Sequence, residues 1–181
     1  KIRYVGICNY TAAQVVEALW TCDSLGLQAP LMLQNQYSLL HRWELEAELL
    51  PRCRQHGLGM MTYSALAIGL LSGAFRRGQT PPPGTLWASR EARFDTIMTE
   101  RVDRIVEGVI HAAQKLEKTP SQVAIAWVTS HPEVTSAMIG PDLPEHVEDA
   151  YGALGWELPC EIGSDLDRLS QPDLPTRYDR P

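Results

Sequence analysis

The first strand–helix unit lies in residues 4–19, YVGICNYTAAQVVEAL, which begin as an apolar run, turn polar at Cys8 and Asn9, and continue with helical spacing. Thr11 and Gln14 have the spacing of a capping box, in which each side chain accepts a hydrogen bond from a backbone N–H at the start of a helix. The helix is expected to bury a stripe of Val15, Val16 and Leu19, with Trp20 at its margin. Such a stretch is typical of one βα unit.

The same order of elements recurs three more times along the chain. Further apolar runs are LMLQNQYS (31–38), LGMMTYS (58–64) and EVTSAMIG (133–140). Helical spacing predicts helices at about 43–56, 100–118, from 120 onward, 144–154 and 160–169. This alternation of strands and helices predicts an α/β protein with a parallel sheet. Residues 74–96, rich in Pro, Gly, Arg and Ser, are expected to form a long loop.

Length and composition exclude several classes of protein. The chain has 181 residues, 44% hydrophobic and 21% charged, which suits one globular domain. A formal net charge of -6 without a long basic run argues against a nucleic-acid binder. The apolar run ALAIGLL, at 65–71, is much shorter than the roughly 18–20 residues of a membrane span. No signal-peptide pattern is visible, so we expect a cytoplasmic protein with reduced cysteines and no membrane association.

Two architectures fit four consecutive βα units. They could form a small doubly wound sheet or half of an eight-stranded barrel, which normally needs about 250 residues. The turn after the first strand, GICNYT, lacks the Gly-x-Gly-x-x-Gly pattern of dinucleotide-binding doubly wound domains. We expect the domain to cover residues 1–170 and residues 171–181 to form a tail. The histidines have no metal-ligand spacing, so no metal site is expected.

Polar residues stand where the predicted strands end. Because ligands bind at the carboxyl ends of parallel strands, these side chains are candidate contacts. They are Cys8 and Asn9, Gln34, Tyr63 and Ser64, and the residues from Gly140 to Asp142. The amides of Asn9 and Gln34 could hydrogen-bond a flat amide-bearing ligand while Tyr63 stacks on its face. That combination is typical of a nicotinamide site.

Five blocks of the sequence closely resemble, in order, the C-terminal half of aldo-keto reductases. They are KIRYVGICNYTAAQVVEA, LMLQNQYSLLHR, GMMTYSALAIGLLSGAF, KTPSQVAIAWVTSHPEVTSAMIGPDLPEHVEDA and LGWEL. The resemblance covers residues 1–169. It implies a (β/α)8 barrel of the TIM type, with the four βα units of this chain as strands five to eight, a half-barrel. It also implies the cofactor-binding half of an NAD(P)H-dependent enzyme that reduces aldehydes or ketones to alcohols.

The resemblance assigns roles to the nicotinamide contacts. Asn9 and Gln34 correspond to the residues that bind the carboxamide, and Tyr63 to the aromatic residue that stacks on the ring. Cys8 stands where the family usually has Ser. Because a thiol is a weak donor, we expect a weakened contact and mainly a packing role for Cys8.

The resemblance also assigns the remainder of the cofactor. Ser64 and Leu66 belong to the segment under the pyrophosphate, where small side chains permit close backbone approach. Gly140, Asp142, His146 and Asp149 are expected near the adenosine part. Many relatives place Ser or Arg at the position of Asp142, and a carboxylate there would repel a 2′-phosphate. The expected cofactor is NADP(H), with NAD(H) as the alternative. The tryptophans are interpreted as packing residues, with Trp87 singled out because its loop could fold over the site.

The resemblance places the catalytic residues of the family outside this chain. The catalytic Asp, Tyr, Lys and His of the family come from the first four strands, so no catalytic residue is assigned here and this chain alone is expected to be inactive. Its partners would be a small carbonyl substrate and either the missing N-terminal half-barrel or a second copy of this chain. The alternative function is a non-catalytic, cofactor-binding regulatory subunit of the same fold.

Overall fold

The computed structural model describes residues 1–172. The strands are β1 (Gly6–Cys8), β2 (Met32–Gln36), β3 (Gly59–Tyr63) and β4 (Val134–Ala137). The helices are α1 (Ala12–Ser24), α2 (Leu50–His56), α3 (Glu91–Ile97), α4 (Glu100–Leu116), α5 (Pro120–Thr129), α6 (Pro144–Tyr151) and α7 (Cys160–Ser170). A π-helical turn, Leu45–Leu49, leads into α2. Most of the predicted tail, residues 173–181, lies outside the described residues, and the domain boundary at 170 stays a prediction.

The sheet is parallel throughout and its strands follow the order β1-β2-β3-β4. Right-handed crossovers between neighbouring strands in this order place every helix on the same face of the sheet. A doubly wound sheet instead reverses its strand order and has helices on both faces. The α/β prediction is confirmed, and the strand order is consistent with half of a (β/α)8 barrel rather than with a doubly wound sheet.

The core lies between the sheet and the helices. Along β2 and β3 every second residue is buried, so Leu33 and Met60 have no exposed surface while Gln34 and Met61 on the other face are partly exposed. Trp127 of α5 is among the largest fully buried side chains. The helix-facing side of the sheet is therefore closed, and the opposite side, which would line a barrel interior, is open.

Helix ends are held by local capping, as predicted for α1. Thr11 and Gln14 form the capping box of α1, and Thr119 and Gln122 form a second one at α5. Gly57 ends α2 with a φ of 66°, in the left-handed region that glycine adopts without strain. None of the helices in residues 1–172 is long and apolar enough to cross a membrane.

The structure corrects the expected margins of the first unit. β1 begins at Gly6 instead of at the start of the apolar run, Tyr4, because its partner β2 begins only at Met32. Val16 is 42% exposed and Trp20 is 70% exposed, so their predicted burial was wrong. The buried residues of α1 are Ala12 and Val15, which lie three positions apart on one face of the helix. Val16 and Trp20 lie on a different face, toward solvent.

The segment expected to be a long loop contains regular structure. A 3₁₀ turn, Ala88–Arg90, runs into α3, so the prediction of a loop up to residue 96 was wrong for its last third. Trp87 and Phe94 anchor this part, with 3% and 1% of their surface exposed. Two apolar side chains in a polar stretch do not produce a helical period, and only their packing into the core reveals the helix.

Candidate functional site

The carboxyl ends of the first three strands meet at one edge of the sheet. The register pairs Cys8 with Gln34 and Gln34 with Met61, so these three side chains form one layer on the open face. Tyr63 pairs with Gln36 and lies one layer further along the strand direction. The strand-end residues therefore occupy two successive layers.

Asn9 and Tyr63 are directly connected. The hydroxyl of Tyr63 donates to Oδ1 of Asn9 at 2.9 Å, and the backbone N–H of Asn9 donates to the carbonyl of Gln34 at 2.8 Å. Asn9 has a φ of 57°, a left-handed conformation that Asn tolerates better than most residues. Because its Oδ1 is occupied, the exposed side chain of Asn9 presents its amide NH₂ group to a ligand.

Gln34 lies among three sulfur atoms. Its Oε1 accepts from the thiol of Cys8 at 3.1 Å, and its Nε2 lies 3.6 Å from Sδ of both Met61 and Met138. Thioether sulfur is a weak acceptor, so the NH₂ group of Gln34 can exchange it for a ligand oxygen at small cost. Cys8 is exposed in the described chain, and its expected packing role stays a prediction. The open face of the sheet has no covering layer in the described part of the chain.

A cavity of about 470 Å³ opens beside these residues, lined among others by Asn9, Asn35, Gln36 and Tyr63. Asn35 was not singled out from the sequence. Its Nδ2 donates to the carbonyl of Tyr10 at 3.4 Å, while its buried Oδ1 has no hydrogen-bond partner in residues 1–172. The sequence feature that could have pointed to Asn35 is a third amide side chain between Gln34 and Gln36, at a helix-facing position of β2.

The segment after β3 has unusual backbone geometry. Ala67, Ile68 and Gly69 have φ values of 49°, 57° and 84°, and we call these three residues the left-handed turn. In the described chain, neither N–H of Ile68 or Gly69 donates to a protein acceptor. Successive backbone N–H groups in such turns form concave binding sites for anions. Ser64 also has a positive φ, 57°.

The side chains of Leu66 and Arg76 are engaged within the protein. Leu66, in the segment after β3, is partly buried and packs its side chain against the core. Arg76 is committed to an ion pair with Asp103 at 2.8 Å and one with Glu107 at 2.5 Å. The hydrogen bond that Arg76 donates to the Asp103 carboxylate lowers the pKa of Asp103. The charge of Arg76 is thus already balanced within the protein.

The expected adenosine contacts fall into two groups. Gly140, Asp142 and His146 are exposed in the connection from β4 into α6, where the N–H of Asp142 donates to Nδ1 of His146 at 3.3 Å. Asp149 instead accepts from Oγ1 of Thr119 at 2.7 Å and from Nε2 of Gln122 at 3.0 Å. Its carboxylate stabilises the start of α5 and is the least available of the four.

The described residues near the strand ends do not form a set of metal ligands. Within residues 1–172, no group of three His, Cys, Asp or Glu side chains is arranged to hold a metal ion. The donors present are amides, a phenol and backbone N–H groups. They suit a ligand with a planar amide and an anionic linker.

Comparison with known proteins identifies the chain's relatives. The model of the aldo/keto reductase family matches residues 1–171. The chain is 30% identical over 169 residues to "Probable voltage-gated potassium channel subunit beta" from Arabidopsis thaliana, covering 93% of this chain and 51% of that protein. It is 30% identical to "Aldo-keto reductase dtxS3" from Metarhizium robertsii, covering 94% and 45%, and 31% identical to "Pyridoxal reductase, chloroplastic" from Arabidopsis thaliana, covering 87% and 40%. The chain spans about half the length of the curated relatives it matches.

Proposed function

This chain belongs to the aldo/keto reductase family, a family of oxidoreductases, and on that premise we propose that it is the C-terminal, cofactor-binding half of an NAD(P)H-dependent enzyme that reduces aldehydes or ketones to alcohols. The observation that carries the proposal is the joint placement of Asn9, Gln34 and Tyr63 at one edge of the sheet. Each of these residues has one function toward a nicotinamide.

Two amides suit the two ends of a carboxamide. A carboxamide has one acceptor oxygen and one NH₂ donor. Asn9 offers an NH₂ group because Tyr63 occupies its Oδ1, and Gln34 offers either an NH₂ group or, by releasing the weak donor Cys8, its Oε1. The hydrogen bond to Asn9 also holds the phenol of Tyr63 at the edge where its ring can stack on the nicotinamide.

The rest of the cofactor is assigned to backbone and exposed polar groups. The pyrophosphate is placed at segment 64–69, where the free N–H groups of Ile68 and Gly69 are suited to an anion. The adenosine part is placed near Asp142 and His146. NADP(H) is the proposed cofactor, and NAD(H) is the alternative because the carboxylate of Asp142 suits a ribose 2′-hydroxyl better than a 2′-phosphate.

When bound, the reduced nicotinamide supplies a hydride for a carbonyl carbon. The residues of this chain bind and orient the ring, and a proton donor is assigned to the half of the barrel that this chain does not contain. We therefore propose that the chain works only when the open face of its sheet is covered, by the N-terminal half-barrel or by a second copy. Native mass spectrometry of the purified protein with NADPH should find one cofactor per covered barrel, and a single 20.2 kDa chain carrying a cofactor by itself would contradict this.

Cofactor titration tests the site itself. Intrinsic fluorescence of the purified protein titrated with NADPH and with NADH gives both affinities. We expect Asn9→Ala and Gln34→Ala each to weaken binding about 5- to 10-fold, since a hydrogen bond contributes about 1–1.5 kcal/mol. Gln114→Ala, on the exposed face of α4, is the matched control. If both site variants bind as the control does, the proposed site is wrong.

A second candidate is a non-catalytic, cofactor-binding regulatory subunit. The likeness to a protein described as a probable potassium channel subunit beta favours including it. Both functions need the same cofactor contacts, so NADPH binding does not separate them. Oxidation of NADPH by the barrel completed with its covering half, in the presence of an aldehyde such as 4-nitrobenzaldehyde, does: turnover supports the reductase, and tight binding without turnover over a panel of carbonyl compounds supports the subunit.

A further inference from the structure

The buried indole of Trp87 is tied to the backbone of the left-handed turn. Its Nε1–H donates to the carbonyl oxygen of Ile68 at 2.8 Å. Trp87 is 3% exposed and packs near Phe94, with ring centroids 6.1 Å apart. The donor is therefore fixed in the core and reaches outward to one specific peptide group.

Ile68, whose carbonyl accepts this bond, has a strained backbone conformation. Ile68 is β-branched and has a φ of 57°, a conformation that disfavours an L-residue by roughly 1–2 kcal/mol. Its side chain is 51% exposed, so packing of the side chain does little to hold this conformation. Strained backbone persists only where the surroundings hold it. The bond from Trp87 is the direct side-chain hydrogen bond that does so.

The geometry of the peptide bond links this contact to the site. The C=O of Ile68 and the N–H of Gly69 belong to the same planar trans peptide, so they point in opposite directions. Because Trp87 holds the C=O toward the core, the N–H of Gly69 points away from it. Like the N–H of Ile68, the N–H of Gly69 donates to no acceptor in residues 1–172.

We propose that Trp87 is a positioning residue that holds the left-handed turn so that its free N–H groups bind the pyrophosphate of the cofactor. This inference rests on the proposed function. Trp87 does not contact the cofactor: it acts through the Ile68–Gly69 peptide. Phe75 supports the same turn, since its ring lies 3.4 Å from where a Cβ on Gly69 would stand.

The first test separates this role from general packing. Trp87→Phe keeps an aromatic ring and removes the donor, and Trp156→Phe is the matched control because its Nε1–H also donates to a backbone carbonyl, that of Gly152, at 2.8 Å. Each variant of the full-length protein is titrated with NADPH and with NMNH, which carries nicotinamide but no pyrophosphate. We expect Trp87→Phe to weaken NADPH at least 5-fold and NMNH less than 2-fold, with neither changed in Trp156→Phe. Equal effects of the two variants on NADPH would overturn the proposal.

The second test is a rescue. If the bond from Trp87 is needed because Ile68 resists its conformation, then a glycine there, which adopts a positive φ freely, should reduce that need. In the double variant Trp87→Phe with Ile68→Gly, at least half of the lost affinity should return relative to Ile68→Gly alone. Additive losses would show that Trp87 acts only through core packing and would overturn the proposal.

A third measurement applies even if the protein binds no nicotinamide cofactor, an outcome that would refute the proposed function, or if Trp87→Phe does not fold. The indole N–H resonances of the wild-type protein are followed by NMR during addition of inorganic pyrophosphate. A saturable shift of the Trp87 resonance, with that of Trp156 unchanged, would support anion binding at the turn independently of nicotinamide. Absence of a shift would overturn the inference.

Discussion

Single residues at the strand ends, proposed as cofactor contacts, also hydrogen-bond one another. The hydroxyl of Tyr63 donates to Asn9, and the thiol of Cys8 donates to Gln34, so each amide is already oriented by a neighbour from another strand. An oriented amide loses less rotamer freedom on binding than a free one. The cofactor affinity should therefore depend on Tyr63 and Cys8 beyond any direct contact that they make.

Removing only the Tyr63 hydroxyl tests this orientation. Tyr63→Phe keeps the ring for stacking and releases Asn9, so we expect NADPH affinity to fall about 2- to 10-fold, the equivalent of one hydrogen bond. Tyr151→Phe, at an exposed position of α6, is the control and should bind as the wild type does. Fluorescence titration measures both, and an unchanged Tyr63→Phe would mean that Asn9 is held by its backbone alone.

At the scale of elements, a partly buried polar cluster joins α7 to the connection after β2. Arg42, with a side chain only 11% exposed, pairs with Glu46 at 2.8 Å and with Asp167 at 3.1 Å, and donates to Ser170 Oγ at 2.6 Å. The hydroxyl of Tyr37 donates to the same Glu46, and burial together with this bond raises the pKa of Tyr37. Tyr37 follows β2, so α7 helps to hold the strand that carries Gln34.

Breaking this cluster should be more costly than breaking a surface pair. Arg42→Met leaves the partly exposed Glu46 and Asp167 without their cation, and we expect the free energy of unfolding to fall by about 2 kcal/mol, between the cost for an exposed pair and that for a buried one. Arg168→Met is the control on the same α7, because the pair of Arg168 with Asp165 is exposed and such pairs contribute about 0–1 kcal/mol. Urea unfolding measures both, and equal losses would refute a stabilising role for the cluster.

The ion pair between Arg76 and Asp103 joins the connection after β3 to α4. It predicts that the free energy of unfolding depends on pH. The hydrogen bond from Arg76 lowers the pKa of Asp103, so its contribution is fully present above the unfolded value of about 3.9 and is lost as the pH falls through the lower folded value. Asp103→Asn should lower the free energy of unfolding by about 1 kcal/mol at pH 7, and the difference should shrink below pH 4. Urea unfolding at pH 7 and pH 3 checks this against Asp95→Asn, an exposed control on α3. A difference that persists at pH 3 would assign the effect to something other than ionisation.

For the whole molecule, the decisive feature is a sheet closed on one face and open on the other. The open face carries Cys8, Gln34, Met61 and Met138, which are partly or well exposed in the described chain. Apolar and amide groups in such a layer normally fill the interior of a barrel. The proposed covering of this face and the proposed cofactor site therefore lie on the same surface.

The cysteines report on this surface without any substitution. Cys8 and Cys160 are exposed, whereas Cys53 is buried and its burial raises the pKa of its thiol. We expect NADPH to slow the reaction of Cys8 with a thiol reagent about 10-fold and to leave Cys160 unchanged, with Cys53 unreactive until the protein unfolds. Peptide mass spectrometry quantifies each site. Equal slowing at Cys8 and Cys160 would point to a global change rather than to cofactor at the strand ends.

The sequence by itself determined the properties that depend on neighbours along the chain. The capping box at Thr11 and the four strand–helix repeats follow from local hydrogen bonds and periodicity, and both are observed. Asn9, Gln34 and Tyr63 were accessible as candidates because polar residues at the ends of apolar strands break the pattern.

Only the tertiary structure decided what depends on contacts between distant segments. The sulfur atoms around Gln34 and the bond from Trp87 to Ile68 involve residues 19 to 104 positions apart. The amide oxygen of Asn35 has no partner in the described chain, and no local pattern records this. The exposure of Trp20 and the helix at Glu91–Ile97 likewise follow from which side chains the core accommodates. Packing is a property of the assembled fold, because the burial of each side chain depends on all of its spatial neighbours.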